Sequence, residues 1–333
     1  MQHRRVGRSG LEFSSTGLGT REWGGRVDVP TAQALVDTYA RAGGTVLEVA
    51  APAPFVPGSP AAEAPHESAP ACDVLHELTI PSQIAVLARV GGCGTAAGGS
   101  GVPGGASPNH GRRALLGAVD LLLERSGLPS LDVLVLDGFD AYTPVEETAS
   151  AVRTLLDNGA VGYVACAGMS AWQIACLRGA GIPVVAALTE MSLVVRSDRT
   201  ARSDRSALLE AAEYMGIGLV AGAALGRGVL TGRYLKGTPQ DSRMGLGPDS
   251  VHAAWTAEHL GGSTDAIVKG VARAAGGLGV EPLDVALAWN RSLPVASSLV
   301  GPRTVDQLER VLDSDLDLEP EIRRALDEIS LPG

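Results

Sequence analysis

Residues 130–172 read SLDVLVLDGFDAYTPVEETASAVRTLLDNGAVGYVACAGMSAW. Within this stretch Asp132–Asp137 frames an apolar run of strand length that ends on an acid. A helix is expected over Pro144–Asn158. Proline suits its first turn, Val145, Ala149, Val152, Leu155 and Leu156 share one face, and Asn158 with Gly159 closes it. A second apolar run, Gly162–Ala167, stops at Gly168, Met169 and Ser170, and a new helix begins at Ala171. Strands apolar on both faces and separated by helices predict a parallel sheet under helices. Chemistry in such sheets gathers at the C-terminal strand ends, so Asp137 and Ser170 are the first candidates.

Working outward, Gln2–Ser15 reads as a hairpin turning at Ser9 and Gly10, and Thr16–Gly19 as a first core strand. The loop Thr20–Gly25 carries Arg21, Glu22 and Trp23. A helix over Ala32–Ala42 ends at Gly43, and Thr45–Ala50 is the second strand. Pro52–Pro70 has no periodicity and reads as a surface loop. A short helix, Cys72–Leu78, leads to strand three, Ile84–Val90. The Gly-rich loop Gly91–Gly105 lacks the lysine of a P-loop, and Ser107 with Pro108 starts a helix running to about Ser126. Beyond Trp172 the pattern continues with strands at Val184–Leu188, Gly218–Gly222 and Ser297–Val300. Helices are expected at Asp204–Met215, Asp265–Ala275, Pro282–Arg291, Thr304–Leu312 and Pro320–Ile329, around an excursion at Leu225–Thr264. Eight strand–helix units predict one α/β domain over 1–333, a (β/α)8 TIM barrel with an N-terminal β-hairpin.

A net charge of −10 argues against nucleic acid or an anionic membrane as partner. No apolar run is long enough to span a bilayer, and Met1–Gly10 lacks the apolar core of a signal peptide. The four cysteines form no CxxC pair, so reduced thiols in a cytoplasmic protein are expected. The six histidines show no ligand spacing, so no metal site is expected. A small molecule is the expected partner, and no feature assigns an oligomeric state.

Four blocks, in order, resemble the aldo-keto reductase superfamily: RRVGRSGLEFSSTGLGT, TPVEETASAVRTLLDNGAVGYVACAGMSAWQ, GIGLVAGAALGRGVLTGRY and LVGPRTVDQLERVL. The resemblance implies the same barrel, NADPH bound across the C-terminal strand ends, and carbonyl reduction by an Asp, a Tyr, a Lys and a His. It also implies that all four positions differ in this chain. Glu48 stands for the Asp and Ala53 for the Tyr in the family's DTAxxY pattern, Arg89 for the Lys and Asp137 for the His. For the cofactor it assigns Ser170, the loop Leu225, Gly226, Arg227 and Gly228, and Arg303 with Gln307. Ala171, Leu188, Met191, Ala223 and Val311 replace other cofactor-binding residues, so NADPH is expected to bind weakly or not at all.

Alanine has no proton to give, and a guanidinium stays charged at any working pH. Glu48, Arg89 and Asp137, on three successive strand ends, are therefore the candidate catalytic residues. They suit proton transfer beside a carbonyl or loss of water. Equally, Glu48 and Arg89 could form a structural ion pair. Arg21, Glu22, Trp23, Asp140 and Tyr142 are candidate substrate contacts on mouth loops, although Trp23 also reads as a packed loop residue. His110 reads as a capping or surface residue, and Cys93 has no neighbour that marks a nucleophile. Three function classes stand open: a non-redox cyclase, dehydratase or isomerase; an NADPH-dependent reductase with an atypical proton donor; and a non-catalytic binder.

Overall fold

The structure, a computed structural model, describes residues 1–50, 70–91, 108–195 and 205–330, apart from 248, 249, 251, 252, 254, 255 and 258. Ala53, Cys93, Ser107, the loop expected up to residue 69 and residues 92–105 of the Gly-rich loop lie outside the described residues.

A short antiparallel ribbon, β1 (His3–Arg5) and β2 (Glu12–Ser14), precedes the barrel. The barrel strands are β3 (Thr16–Gly19), β4 (Val46–Ala50), β5 (Ala85–Val90) and β6 (Leu131–Asp137), followed by β7 (Val161–Ala167), β8 (Val184–Glu190), β9 (Gly218–Gly222) and β10 (Ser297–Val300). Neighbours pair in parallel, and β10 closes the cylinder by pairing with both β9 and β3. This is the expected (β/α)8 TIM barrel with its hairpin.

Helices α1 (Val29–Arg41), α2 (Pro70–His76), α3 (Arg112–Ser126), α4 (Val145–Asp157), α5 (Ala171–Gly179) and α6 (Arg205–Met215) carry the first crossovers. The pair α7 (Ser263–Leu278) and α8 (Pro282–Arg291) precedes β10; α9 (Val305–Leu312) and α10 (Pro320–Ser330) follow it. Among the described residues no helix is long and apolar enough to cross a membrane.

Several helix ends shift by one or two residues from expectation, among them both ends of α2, and three shift further. Helix α1 begins before Ala32 because the Asp28 side chain accepts from Thr31 N at 3.0 Å, ahead of the apolar stripe. Helix α3 begins at Arg112 rather than Pro108: Asp140 takes the His110 N–H and Asn109 takes that of Gly111, holding residues 109–111 out of the helix. Helix α7 runs through Gly276 and Gly277 to a left-handed cap at Gly279, where φ is +70°.

Strand parity divides the core. Leu87 on β5 and Val133 and Val135 on β6 pack inside the barrel, whereas Ala88, Leu134 and Leu136 pack outward under the helices. Val6 and Phe13 of the hairpin join the inner cluster and plug the N-terminal end. Gly7 lets the plug seat: its φ is +56°, and a Cβ there would fall 2.3 Å from Gly216 O. Tyr39 joins plug to barrel. Its buried hydroxyl lies 2.8 Å from Thr16 O and from Ser14 Oγ, and accepts from Val46 N at 3.2 Å.

Tyr39→Phe keeps the ring and strands those buried groups. Urea denaturation is expected to show a loss of about 1–3 kcal/mol.

Candidate functional site

A cavity of about 580 Å³ opens at the C-terminal ends of the strands. Its inner wall includes Gly19, Arg21, Glu48, Arg89 and Gly222; its outer wall runs along Gly301, Pro302, Arg303 and Gln307. Glu48 has the inward parity of Val46, Arg89 that of Leu87, and Asp137 that of Val133 and Val135. Counting along three strands thus delivers three charges to one mouth.

Arg89 lies between the two acids. Its Nε is 2.6 Å from Glu48 Oε1, and its Nη1 is 3.4 Å from Asp137 Oδ1 and 3.5 Å from Oδ2. Glu48 is held tightly, whereas Asp137 sits at the long limit of a hydrogen bond, beside the cavity rather than on its wall. Burial alone would lower the Arg89 pKa; Asp137 and Glu48 overcome it and hold the guanidinium above the ordinary arginine range. Arg89 is a permanent cation here and no proton donor.

Arg227 and Glu190 form a second, mostly buried pair, both on the cavity wall. Arg227 has a left-handed backbone at φ +57°, as does Ala223 at +51°, in the tight turn after β9. Leu225, Arg227 and Gly228 border the cavity, while Gly226 supports the turn: a Cβ there would meet Val194 Cγ2 at 2.6 Å. Arg303 and Gln307 also border it, and Gln307 Oε1 accepts from Arg303 N at 2.9 Å.

The mouth-loop candidates separate. Arg21 and Glu22 line the cavity. Glu22 is engaged by Arg243 at 2.6 Å and by Arg26 at 3.5 Å, and Arg26 also donates to Asp241 O at 2.9 Å. These contacts tie the loop after β3 to the segment after β9. Trp23 does not line the cavity. It is 1% exposed and packs in the core with Leu18 and Val27, as the packing alternative anticipated.

Asp140 and Tyr142 are not brought to the site. Asp140 accepts backbone N–H groups of His110, Tyr142 and Thr143 at 2.8–3.0 Å, which pins its loop. Burial opposes its charge, but those bonds outweigh it and keep the Asp140 pKa below the usual range. Tyr142 is 84% exposed on the outside of that loop. Ser170 caps α5, its N–H donating to Gln173 Oε1 at 2.8 Å, and does not border the cavity. His110 is no surface residue: its ring is buried against Gly91. Burial lowers its pKa, only partly countered by Asp140 and Asp137.

Sequence reading missed Glu190 and Arg243. Glu190 was findable, because β8 runs two residues past Leu188 and repeats its inward parity. Arg243 sits in the long excursion, where no period points anywhere.

Residues 16–330 match the family model described as aldo/keto reductase family. The chain belongs to this family. Among curated relatives it is similar to L-glyceraldehyde 3-phosphate reductase of Escherichia coli O157:H7, 31% identical over 62% of this chain and 60% of that protein. The counterpart from Escherichia coli strain K12 is 35% identical over 43% and 41%. Versiconal hemiacetal acetate reductase of Aspergillus parasiticus is 26% identical over 66% and 63%. The matches span less than two thirds of these relatives' lengths.

Arg89→Met leaves Glu48 and Asp137 facing each other in a poorly hydrated mouth, and denaturant titration is expected to show a loss of about 3–5 kcal/mol. Tyr142→Ala, out in solvent, is expected to change stability by no more than about 0.5 kcal/mol.

In the folded protein the His110 pKa is depressed. The unfolded chain takes the proton first, so this stability is complete above about pH 6.5 and is lost as pH falls through the folded value. His110→Gln is expected to flatten that slope in melts run across the window.

Proposed function

We propose that this family member acts on a small carbonyl-bearing metabolite without net oxidation or reduction, as a cyclase, dehydratase or isomerase, with Glu48, Arg89 and Asp137 as the reacting group. The observation that carries the reading is the unequal grip of Arg89. Glu48, at 2.6 Å, anchors the guanidinium; Asp137, at 3.4 Å, is the carboxylate that can leave it for a substrate proton. Asp137 then removes a proton beside the carbonyl, and the fixed Arg89 cation stabilises the enolate oxygen that forms. Return of the proton from Asp137 to a different atom completes an isomerisation; return to a leaving hydroxyl completes a dehydration. We read the whole chain as one barrel domain, working in the cytoplasm.

NADPH fits one end of the cavity. Arg227, Arg233, Arg243 and Arg303 border it, and they suit phosphates. The other end supports no nicotinamide: Leu188 and Met191 are buried away from the cavity wall. No step is therefore routed through the cofactor, and weak or absent NADPH binding is proposed. The phosphate-suited end and the relatives named as reductases favour one second reading, an NADPH-dependent carbonyl reductase with an atypical proton donor.

The test follows hydrogen exchange beside the carbonyl of small oxo-compounds in D2O, by NMR, with and without NADPH. Exchange is expected without NADPH, and Asp137→Asn or Glu48→Gln should reduce it by about 10²–10⁴. Ala53→Tyr should not create a reductase, since Arg89 and Asp137 still hold the positions of the Lys and the His. NADPH oxidation with a carbonyl substrate at ~1–10³ per second would sink the proposal in favour of the reductase.

A further inference from the structure

The last residue of β3 is a glycine set beside the buried carboxylate of β4. Gly17 faces the lumen, since a Cβ there would meet Val46 and Leu299 of the inner cluster. Gly19 repeats that parity two residues on, at the mouth, and is paired across the strands with Glu48. A Cβ on Gly19 would lie 3.5 Å from Val300 O and 3.6 Å from Glu48 Oε2, both ordinary contact distances. Neither the backbone nor the space demands glycine here. What the missing methyl group does is leave Oε2 uncovered towards the cavity, which Gly19 and Glu48 both line.

The two oxygens of Glu48 therefore differ in their surroundings. Oε1 takes the Arg89 contact at 2.6 Å, which fixes the carboxylate in place. Among the described residues none donates a hydrogen bond to Oε2, although the residue is buried. A carboxylate oxygen only accepts, and a buried acceptor left unpaired is costly. A ligand that brings an O–H to this point satisfies it. One that brings an ether oxygen or a methyl group there excludes water and leaves Oε2 without a donor.

We propose that Gly19 is a specificity-determining residue of this mouth: by carrying no side chain it exposes Glu48 Oε2 as the acceptor for a ligand hydroxyl. The ligand class is a carbonyl compound with a hydroxyl on the carbon next to the carbonyl. The inference rests on the proton-transfer reading for the place of the carbonyl, against Arg89, but not for the hydroxyl contact. Arg89 and Oε2 are neighbours through one carboxylate, so the two groups they meet sit on adjacent carbons.

Binding is measured apart from turnover, by ligand-observed NMR titration. The probes are short and aryl 2-hydroxy ketones, each beside its methyl ether and beside the ketone with a methyl group in place of the hydroxyl. Wild-type protein is expected to bind at least one hydroxy ketone about tenfold or more tightly than both counterparts. Gly19→Ala covers Oε2 and should bring that ratio close to one. In Glu48→Gln the amide oxygen faces Arg89 and its NH2 faces the cavity, so the hydroxyl should lose its advantage over the methyl ether. Thermal melts confirm that each variant is folded; Gly19→Ser, whose own hydroxyl can reach Oε2, replaces the alanine variant if that one is not. A wild-type ratio near one throughout, no hydroxy ketone bound up to about 10 mM, or an advantage that survives in either folded variant overturns the proposal. Hydroxyl preference without hydrogen exchange would leave it standing and count against the proton-transfer reading alone.

Discussion

In a closed barrel of short strands, the direction of a side chain is a matter of counting. Each residue faces either the lumen or the helices, and a one-residue slip would exchange the two sets. Val46, Leu87, Val133 and Val135 fill the lumen, and that packing fixes the register of β4, β5 and β6. The same register leaves Glu48, Arg89 and Asp137 no direction but inward at the mouth. The hydrophobic core and the charged site are set by one constraint, so neither can shift without the other.

The charges in turn limit the chemistry. A guanidinium clasped by Glu48 stays protonated and stays in place, acting as a preorganised electrostatic fixture rather than a proton carrier. On the proposed reading, proton movement falls to the carboxylate with the looser contact. The Glu190–Arg227 pair repeats the theme across the cavity, helping to hold an arginine whose left-handed backbone costs about 1–3 kcal/mol.

Much of this was legible in the sequence because it depends on period and parity. The barrel follows from apolar runs separated by helices and the hairpin from its turn at Ser9 and Gly10, while Glu48 and Arg89 were picked out by the family resemblance and strand parity then turns them inward. Loop detail was harder to read. Trp23 is packed, as one of its two readings had it, because the Thr20–Trp23 turn is short enough to drop its ring against Val27. Asp140 spends its oxygens on three backbone N–H groups, a local competition that a polar residue on a mouth loop does not announce. Tyr142 then rides on the outside of that turn. Arg243 reaches Glu22 across 221 positions of chain, a contact that only the folded excursion creates.

The hairpin plug has a consequence for traffic. With Val6 and Phe13 sealing one end and packed side chains filling the shaft, the barrel is, among the described residues, a room with one door. Whatever reaches Arg89 comes in past the arginines of the outer wall and leaves the same way. On the proton-transfer proposal, the protons that reset Asp137 would use that doorway too, so an occupant of the outer wall would control how often the inner one turns over.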